Sequence, residues 1–191
     1  MHSRNPELAL KVVTGDRDID LWEIKIEEDC LKIITLHQPV AGDLRFLVAV
    51  LKGNNELERI GDHCSKLAKS VVELAKMPTS SIKLDLSHMA EKVQFMLSHS
   101  LSALVELDPA LASQVCADDD EVDQLHRYAY QQVLEQLNTV PSCDPSALLH
   151  QLSMSKDLER IADHSTNLAE DVLYMVQGKI HRHGAERSAA D

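Results

Sequence analysis

Four pairs of carboxylates, each spaced i, i+4, are the residues of this sequence best suited to chemistry. They are Asp16 with Asp20, Glu58 with Asp62, Asp119 with Asp123, and Glu159 with Asp163. On an α-helix this spacing places both carboxylates on one face. Two such pairs on neighbouring helices would bring four negative charges together, which raise one another's pKa unless a cation is present. The pattern therefore predicts a carboxylate metal site in each half of the chain.

Oxygen ligands restrict the metals and leave two alternatives open. Carboxylates suit magnesium and manganese and also bind iron and zinc, so we expect iron, zinc, manganese or magnesium. A single Glu-x-x-x-Asp is most often a solvated acidic face, which makes a metal-free helical scaffold one alternative. A carboxylate-bridged metalloenzyme is the other. The chain has no Glu-x-x-His pair, no Gly-rich phosphate loop and no Gly-x-Ser-x-Gly elbow, which favours a protein that is not an enzyme.

The carboxylate pairs belong to an internal repeat. Residues 56–69 match residues 157–170 at eight of fourteen positions, with equivalent residues 101 apart. Upstream, residues 6–20 align with residues 109–123 at a separation of 103. Each copy therefore holds one Asp-x-x-x-Asp pair and, about 40 residues later on a different helix, one Glu-x-x-x-Asp pair. A repeat of this length predicts two structurally similar halves.

Composition favours helices and excludes several classes of function. The 191 residues are 44% hydrophobic but only 3% aromatic, with 6 Gly and 6 Pro, which gives little material for a β-protein rich in turns. A net charge of −12 disfavours direct nucleic-acid binding. The four cysteines are widely separated, which is typical of reduced thiols in a cytoplasmic protein. Without an apolar run long enough to span a bilayer, the chain would reach a membrane only through partners.

Periodicity predicts an all-α protein made of two tandem antiparallel three-helix bundles. The first half, residues 1–78, and the second, residues 79–178, meet near Thr79-Ser80-Ser81, and an unstructured tail follows at 179–191. We predict helices over these ranges: 6–13, 16–37, 41–77, 85–107, 109–116, 118–138 and 146–177. The second half begins with a long helix that has no counterpart in the first. We therefore expect the first bundle to lack its first long helix and to leave an apolar groove. Either the chain is an amino-terminal truncation, or the groove is filled by a partner or by a second copy in a homodimer.

For the residues beside the carboxylates, the sequence supports less specific predictions. His63 and His164 each follow an Asp and are rotated about 100° from it, so we expect packing or interface roles. Arg59 and Arg160 are expected to point away from the carboxylates and to make surface ion pairs. His126 lies three residues after an Asp and could join the second site, although chance is the simpler explanation.

Three segments resemble the PhoU family of phosphate-signalling regulators. They are Gln38-Pro39-Val40-Ala41-Gly42-Asp43-Leu44-Arg45, Leu57-Glu58-Arg59-Ile60-Gly61-Asp62-His63 and Leu158-Glu159-Arg160-Ile161-Ala162-Asp163-His164. The duplicated Leu-Glu-Arg-Ile-x-Asp motif is fairly specific, and the resemblance covers nearly the whole chain. The departure from the family pattern is the absent first helix.

The resemblance implies a function and a set of partners. Members of this family are tandem three-helix bundles of the cytoplasm. They repress phosphate-starvation signalling by contact with the phosphate ABC transporter, including its ATPase, and with a membrane sensor kinase. Some bind multinuclear metal clusters at paired acidic motifs, and that pattern carries over here to the same eight carboxylates. A PhoU-like domain of a longer phosphate transport protein would show the same features.

Overall fold

The protein, seen in a computed structural model, is built of five long helices. The structure describes residues 6–77, 84–139, 145–178, 181–182 and 185–186. In chain order the helices are α1 (Pro6–His37), α2 (Ala41–Lys76), α3 (Ser87–Glu106), α4 (Pro109–Thr139) and α5 (Pro145–Gln177). None of them is both long and apolar enough to cross a membrane. The predicted all-α class is confirmed.

Two predicted helix breaks are absent. Helix α1 runs without interruption through the two segments predicted as separate helices, 6–13 and 16–37. Helix α4 likewise joins the predicted helices 109–116 and 118–138. In α1, Thr14 Oγ1 hydrogen-bonds the carbonyls of Leu10 and Lys11, at 3.1 Å each, and so stays within the helix. A helical Gly such as Gly15 costs only about 1 kcal/mol relative to Ala, too little to end a helix that packs along its length.

Four residues of the tail are described. Two short strands, β1 (His181–Arg182) and β2 (Ala185–Glu186), pair antiparallel after α5. The unstructured tail at 179–191 stays a prediction. The rest of 179–191 lies outside the described residues, as does the predicted boundary at Thr79-Ser80-Ser81.

The two halves differ in completeness, as predicted. In the second half α3, α4 and α5 pack on one another as a three-helix bundle, whereas the described part of the first half supplies only α1 and α2. The bundle core contains fully buried Met96, Val115, Val122, Leu148 and Val172. At the edge of this core, Lys92 Nζ of α3 forms ion pairs with two acids of α4, at 3.0 Å to Asp118 and 2.7 Å to Glu121.

Helices α2 and α5, the equivalent helices of the two copies, form the contact between the halves. Both helices carry small buried residues: Ala49, Gly53, Ser65 and Ala68 on α2, and Ala162, Ser165 and Ala169 on α5. At Gly53 a Cβ atom would lie 2.9 Å from Leu168 Cδ1, a separation that real Cβ atoms essentially never show. The fully buried Leu168 side chain of α5 therefore packs against the bare backbone of Gly53.

Two histidines join α2 and α5 through reciprocal hydrogen bonds. His63 Nδ1 of α2 lies 3.0 Å from Asp157 Oδ1 of α5, and His164 Nδ1 of α5 lies 2.7 Å from Glu56 Oε2 of α2. A carboxylate can only accept, so in both pairs Nδ1 carries the proton. The two rings stack with their centroids 5.6 Å apart. The interface role predicted for His63 and His164 therefore has a specific form, in which each ring bonds the acid that opens the other copy of the motif.

The α2–α5 contact should weaken when Glu56 loses its negative charge. Asn167 Nδ2 also donates to Glu56 Oε2, at 3.1 Å. Burial alone raises the pKa of Glu56, but the hydrogen bonds from His164 and Asn167 outweigh it and hold the pKa below its ordinary value. This contribution to stability is present above the unfolded pKa of about 4.3 and is lost as pH falls through the lower folded pKa.

We predict that Glu56→Ala lowers the free energy of unfolding at pH 7 by about 1–2 kcal/mol, because it leaves the half-buried His164 donor without its acceptor. Chemical denaturation measures this. Glu73→Ala is the matched control, since Glu73 pairs with Lys76 on an exposed face of the same helix, where an ion pair contributes little. Equal losses in the two variants would contradict the role assigned to Glu56.

Candidate metal centre

The second half brings three of its four predicted ligands together. Carboxylate oxygens of Asp123 on α4 and of Glu159 and Asp163 on α5 all lie within 4.8 Å of one another. The three side chains are partly exposed, at 38%, 20% and 31%. Oxygens at such separations can ligate one cation at 2.0–2.6 Å. The cluster has the donor set of a hard-cation site, and we call it the α4–α5 acidic cluster.

Asp119, the fourth predicted residue, lies beside this cluster and not within its closest group. Its Oδ1 accepts a hydrogen bond of 3.2 Å from Thr166 Oγ1 of α5. Burial and then the negative charge of Asp163 raise the pKa of Asp119, while the Thr166 hydrogen bond lowers it by less. Burial and the charge of Glu159 likewise raise the pKa of Asp163. The carboxylates therefore repel one another, as their spacing predicts.

Two arginines border the α4–α5 acidic cluster. Arg127 Nη2 lies 3.1 Å from Asp123 Oδ2, and Arg160 Nη1 lies 2.9 Å from Asp163 Oδ2, with Arg160 Nε also 3.7 Å from Glu159. Arg160 makes the surface ion pairs that we expected, but it makes them with the predicted ligands themselves, so the expectation that it points away from the carboxylates is wrong. Its long side chain bends back toward residues at i−1 and i+3, where a guanidinium reduces the repulsion between them. A cation entering the site would compete with both arginines.

In the first half the four predicted residues are less tightly grouped. Within the part of the chain that the structure describes, Asp16, Asp20, Glu58 and Asp62 do not place three carboxylate oxygens as close together as the second half does. Burial, then the charge of Asp62, and more weakly the charges of Glu23 and Asp20, raise the pKa of Glu58. The four predicted residues therefore form a looser group, which we call the α1–α2 acidic cluster.

Neighbouring residues explain part of this difference. Lys66 Nζ lies 3.3 Å from Asp62 Oδ2, and Arg59 Nε lies 3.6 Å from Glu58 Oε2. Glu23, one turn after Asp20, adds a negative charge near Glu58. In the repeat alignment Glu23 is the counterpart of His126, and this equivalence is the sequence feature that could have predicted Glu23 as a member of the first site. Local cations and an additional acid therefore make the two clusters chemically different.

His126 is not part of the α4–α5 acidic cluster. Its Nδ1 lies 2.7 Å from Ser155 Oγ, and it is not among the residues that meet at 4.8 Å. Three of the cysteines, Cys30, Cys64 and Cys116, are free, as expected for reduced thiols, and Cys143 lies outside the described residues. Burial, followed by the charges of Glu170 and Asp119, raises the pKa of Cys116 to about 11. Within the described residues, the donors that meet at this cluster are carboxylates only.

Repulsion within the α4–α5 acidic cluster should cost stability when no metal is bound. An acid whose pKa is raised by folding destabilises the native state above that folded pKa, and this cost disappears below the unfolded pKa of about 3.9. We predict that Asp163→Asn raises the melting temperature of metal-free protein at pH 7 by roughly 2–4 °C, with the gain vanishing near pH 3.5. Calorimetry in chelator measures it, with exposed Asp120→Asn as the control. An unchanged or lowered melting temperature for Asp163→Asn would contradict the repulsion.

Known proteins resemble this chain over both halves. Residues 1–71 and 86–172 match the PhoU domain family. A "phosphate-specific transport system accessory protein PhoU homolog" of Deinococcus radiodurans is 36% identical over 181 residues, which cover 93% of this chain and 83% of the relative. The corresponding protein of Edwardsiella tarda is 33% identical over 187 residues, covering 96% of this chain and 75% of the relative.

Solved structures share the fold. The crystal structure of PhoU from Pseudomonas aeruginosa superposes with a TM-score of 0.88 at 33% identity, covering 92% of this chain and 84% of that one. The crystal structure of the phosphate transport system regulatory protein PhoU from Streptococcus pneumoniae gives 0.86 at 23% identity, covering 95% and 85%, and so supports the fold alone. The match of both repeats to one domain family, together with this fold, places the chain in the PhoU family.

Proposed function

We propose that the chain is a non-catalytic regulator of phosphate uptake and of phosphate-starvation signalling. The observation that carries the proposal is the match of both repeats to the PhoU domain, since relatives matched over 93–96% of this chain are named accessory proteins of the phosphate-specific transport system. Its partners would be the ATPase of the phosphate ABC transporter and a membrane sensor kinase. Contact with a membrane would then be indirect, from the cytoplasm.

The α4–α5 acidic cluster supplies the metal-binding part of the proposal. A cation held by Asp123, Glu159 and Asp163 would bridge α4 and α5 at a place where their carboxylates repel one another. Asp119 would complete the set from one side. In the first half, Asp16, Asp20, Glu58 and Asp62 would bind more weakly, because their oxygens are less tightly grouped. Oxygen donors alone suit magnesium, manganese or oxidised iron, and zinc less well.

An enzyme is a weaker alternative. Metal-dependent redox bundles combine carboxylates with histidine ligands. Here the α4–α5 acidic cluster contains carboxylates only among the described residues, and His126, the histidine that the sequence offered as a possible ligand, bonds Ser155. The chemistry that this arrangement favours is cation binding.

The regulatory proposal can be tested in cells. In a strain without its own PhoU-type regulator, a phosphate-starvation reporter should stay active in phosphate-rich medium, and expression of this chain should return it to its repressed level. Pull-down by the purified transporter ATPase should accompany the repression. A reporter that stays active despite soluble expression of the chain would contradict the proposal.

Measuring the metal content of the protein tests the metal-binding part of the proposal independently of the regulatory part. We predict that protein equilibrated with Mn²⁺ and desalted retains metal by elemental analysis, and that Asp163→Asn together with Asp123→Asn lowers the retained metal at least tenfold. Asp120→Asn, an exposed neighbour on α4, should leave metal content unchanged. Equal metal in all variants, or none in any, would sink the metal assignment. Loss of metal with reporter repression intact would make the metal structural instead.

A further inference from the structure

Two arginines neutralise part of the charge of the α4–α5 acidic cluster. Arg127 Nη2 of α4 lies 3.1 Å from Asp123 Oδ2. On α5, Arg160 Nη1 lies 2.9 Å from Asp163 Oδ2, and its Nε lies 3.7 Å from Glu159 Oε2. Each carboxylate of the cluster therefore has a guanidinium beside it. Since the two arginine side chains are 67% and 47% exposed, in that order, exchanging the carboxylates for water costs them little.

This neutralisation is incomplete. Burial and then the charge of Glu159 raise the pKa of Asp163, and the charge and hydrogen bond of Arg160 lower it by less. The pKa of the adjacent Asp119 is raised as well, by burial and by the charge of Asp163. The cluster therefore keeps a negative charge that attracts further cations, but such a cation must reach carboxylate oxygens that the guanidinia already use.

The charge of the incoming ion decides whether this exchange is favourable. A guanidinium offers a carboxylate one positive charge together with directed hydrogen bonds. A monovalent ion brings a single charge and no hydrogen bonds, so it gains little by taking the place of an arginine. A divalent ion doubles the Coulomb attraction to every carboxylate around it, and three carboxylates meet here within 4.8 Å. The arginines therefore oppose monovalent ions more effectively than divalent ones.

The first half has no equivalent of this pair of arginines. In the repeat alignment, the counterpart of Arg127 on α1 is Ile24, an apolar residue that is 53% exposed. The cations beside the α1–α2 acidic cluster, Arg59 and Lys66, both belong to α2 and pair with acids of their own helix, at 3.6 and 3.3 Å. A guanidinium on each of two helices is thus a feature of the second half and not of the repeated motif.

We propose that Arg127 and Arg160 are the selectivity residues of the α4–α5 acidic cluster. They close it to monovalent cations and lower its affinity for divalent cations, which displace the guanidinia to reach the carboxylate oxygens. This inference rests on the metal-binding part of the proposed function and is independent of the regulatory part. Occupancy of the site then follows the concentration of divalent ions and not that of potassium.

Titration with Mn²⁺, with the free ion counted by electron paramagnetic resonance, tests the effect on affinity. The parent protein carries Asp16→Asn and Asp62→Asn, so that the first half contributes no site. Arg127→Met and Arg160→Met should each tighten Mn²⁺ binding about threefold, and the two together about tenfold, because a competing charge is removed. Lys32→Met is the matched control, since it removes the same charge from a lysine paired with two acids of α1, and it should leave the affinity unchanged.

The choice of salt tests selectivity. Potassium chloride and tetramethylammonium chloride at equal ionic strength screen charges equally, but tetramethylammonium is too large for carboxylates to coordinate. With both arginines present, the Kd for Mn²⁺ should agree in the two salts to within about twofold. In the double variant Arg127→Met, Arg160→Met, potassium chloride should weaken Mn²⁺ binding at least about threefold relative to tetramethylammonium chloride, because K⁺ then enters the cluster.

The outcomes separate this inference from the proposal beneath it. An absence of Mn²⁺ binding in the parent and in every variant would overturn the metal assignment and the inference together. Mn²⁺ binding that the arginine variants leave unchanged, or equal competition by K⁺ with and without the arginines, would overturn the selectivity role alone. Arg160→Lys keeps the charge and should stay within about twofold of the parent. If it tightened binding as much as Arg160→Met, the role assigned to charge would be wrong.

Discussion

The close contact between α2 and α5 is the constraint on which the rest of the structure depends. These helices are the equivalent members of the two repeats, and at Gly53 of α2 a Cβ atom would press on the Leu168 side chain of α5. Against this contact each repeat packs its remaining helices. The reciprocal bonds of His63 and His164 across it form in a half-buried setting, where an unsatisfied donor costs more than it does in water. The two bonds join equivalent positions of the two motifs, so the contact is reciprocal at this point.

The repeated motif can now be understood as three faces of one helix. In the second copy, Leu158 and Ile161 are buried in the core, while Glu159 and Asp163 turn toward α4 and form the acidic cluster. His164, rotated about 100° from Asp163, points across to the other repeat. One short sequence thus supplies core packing, the acidic site and the contact between the repeats. A substitution in it tests one of these roles only if it leaves the other two intact.

The features that the sequence could predict are those set by local periodicity and by the repeat, whereas features set by contacts between helices could not be predicted from it. The helical class, the two acidic pairs per half and the incomplete first bundle rest on periodicity and repetition, which are visible in one sequence. The continuity of α1 through Thr14 and Gly15 was missed because local breaker signals are weaker than packing along a whole helix. The bend of Arg160 back to Asp163 depends on rotamers, and the difference in tightness between the acidic clusters depends on contacts between helices. Neither is encoded in residue spacing alone.

The account rests most heavily on the α4–α5 acidic cluster being a site for a cation and not merely a solvated acidic face. The most direct measurement is anomalous diffraction from crystals grown with Mn²⁺. The account predicts an anomalous peak between the carboxylates of Asp123, Glu159 and Asp163, within 2.0–2.6 Å of an oxygen from each. A map with no peak there, while the side chains of Arg127 and Arg160 remain bonded to these carboxylates, would contradict it.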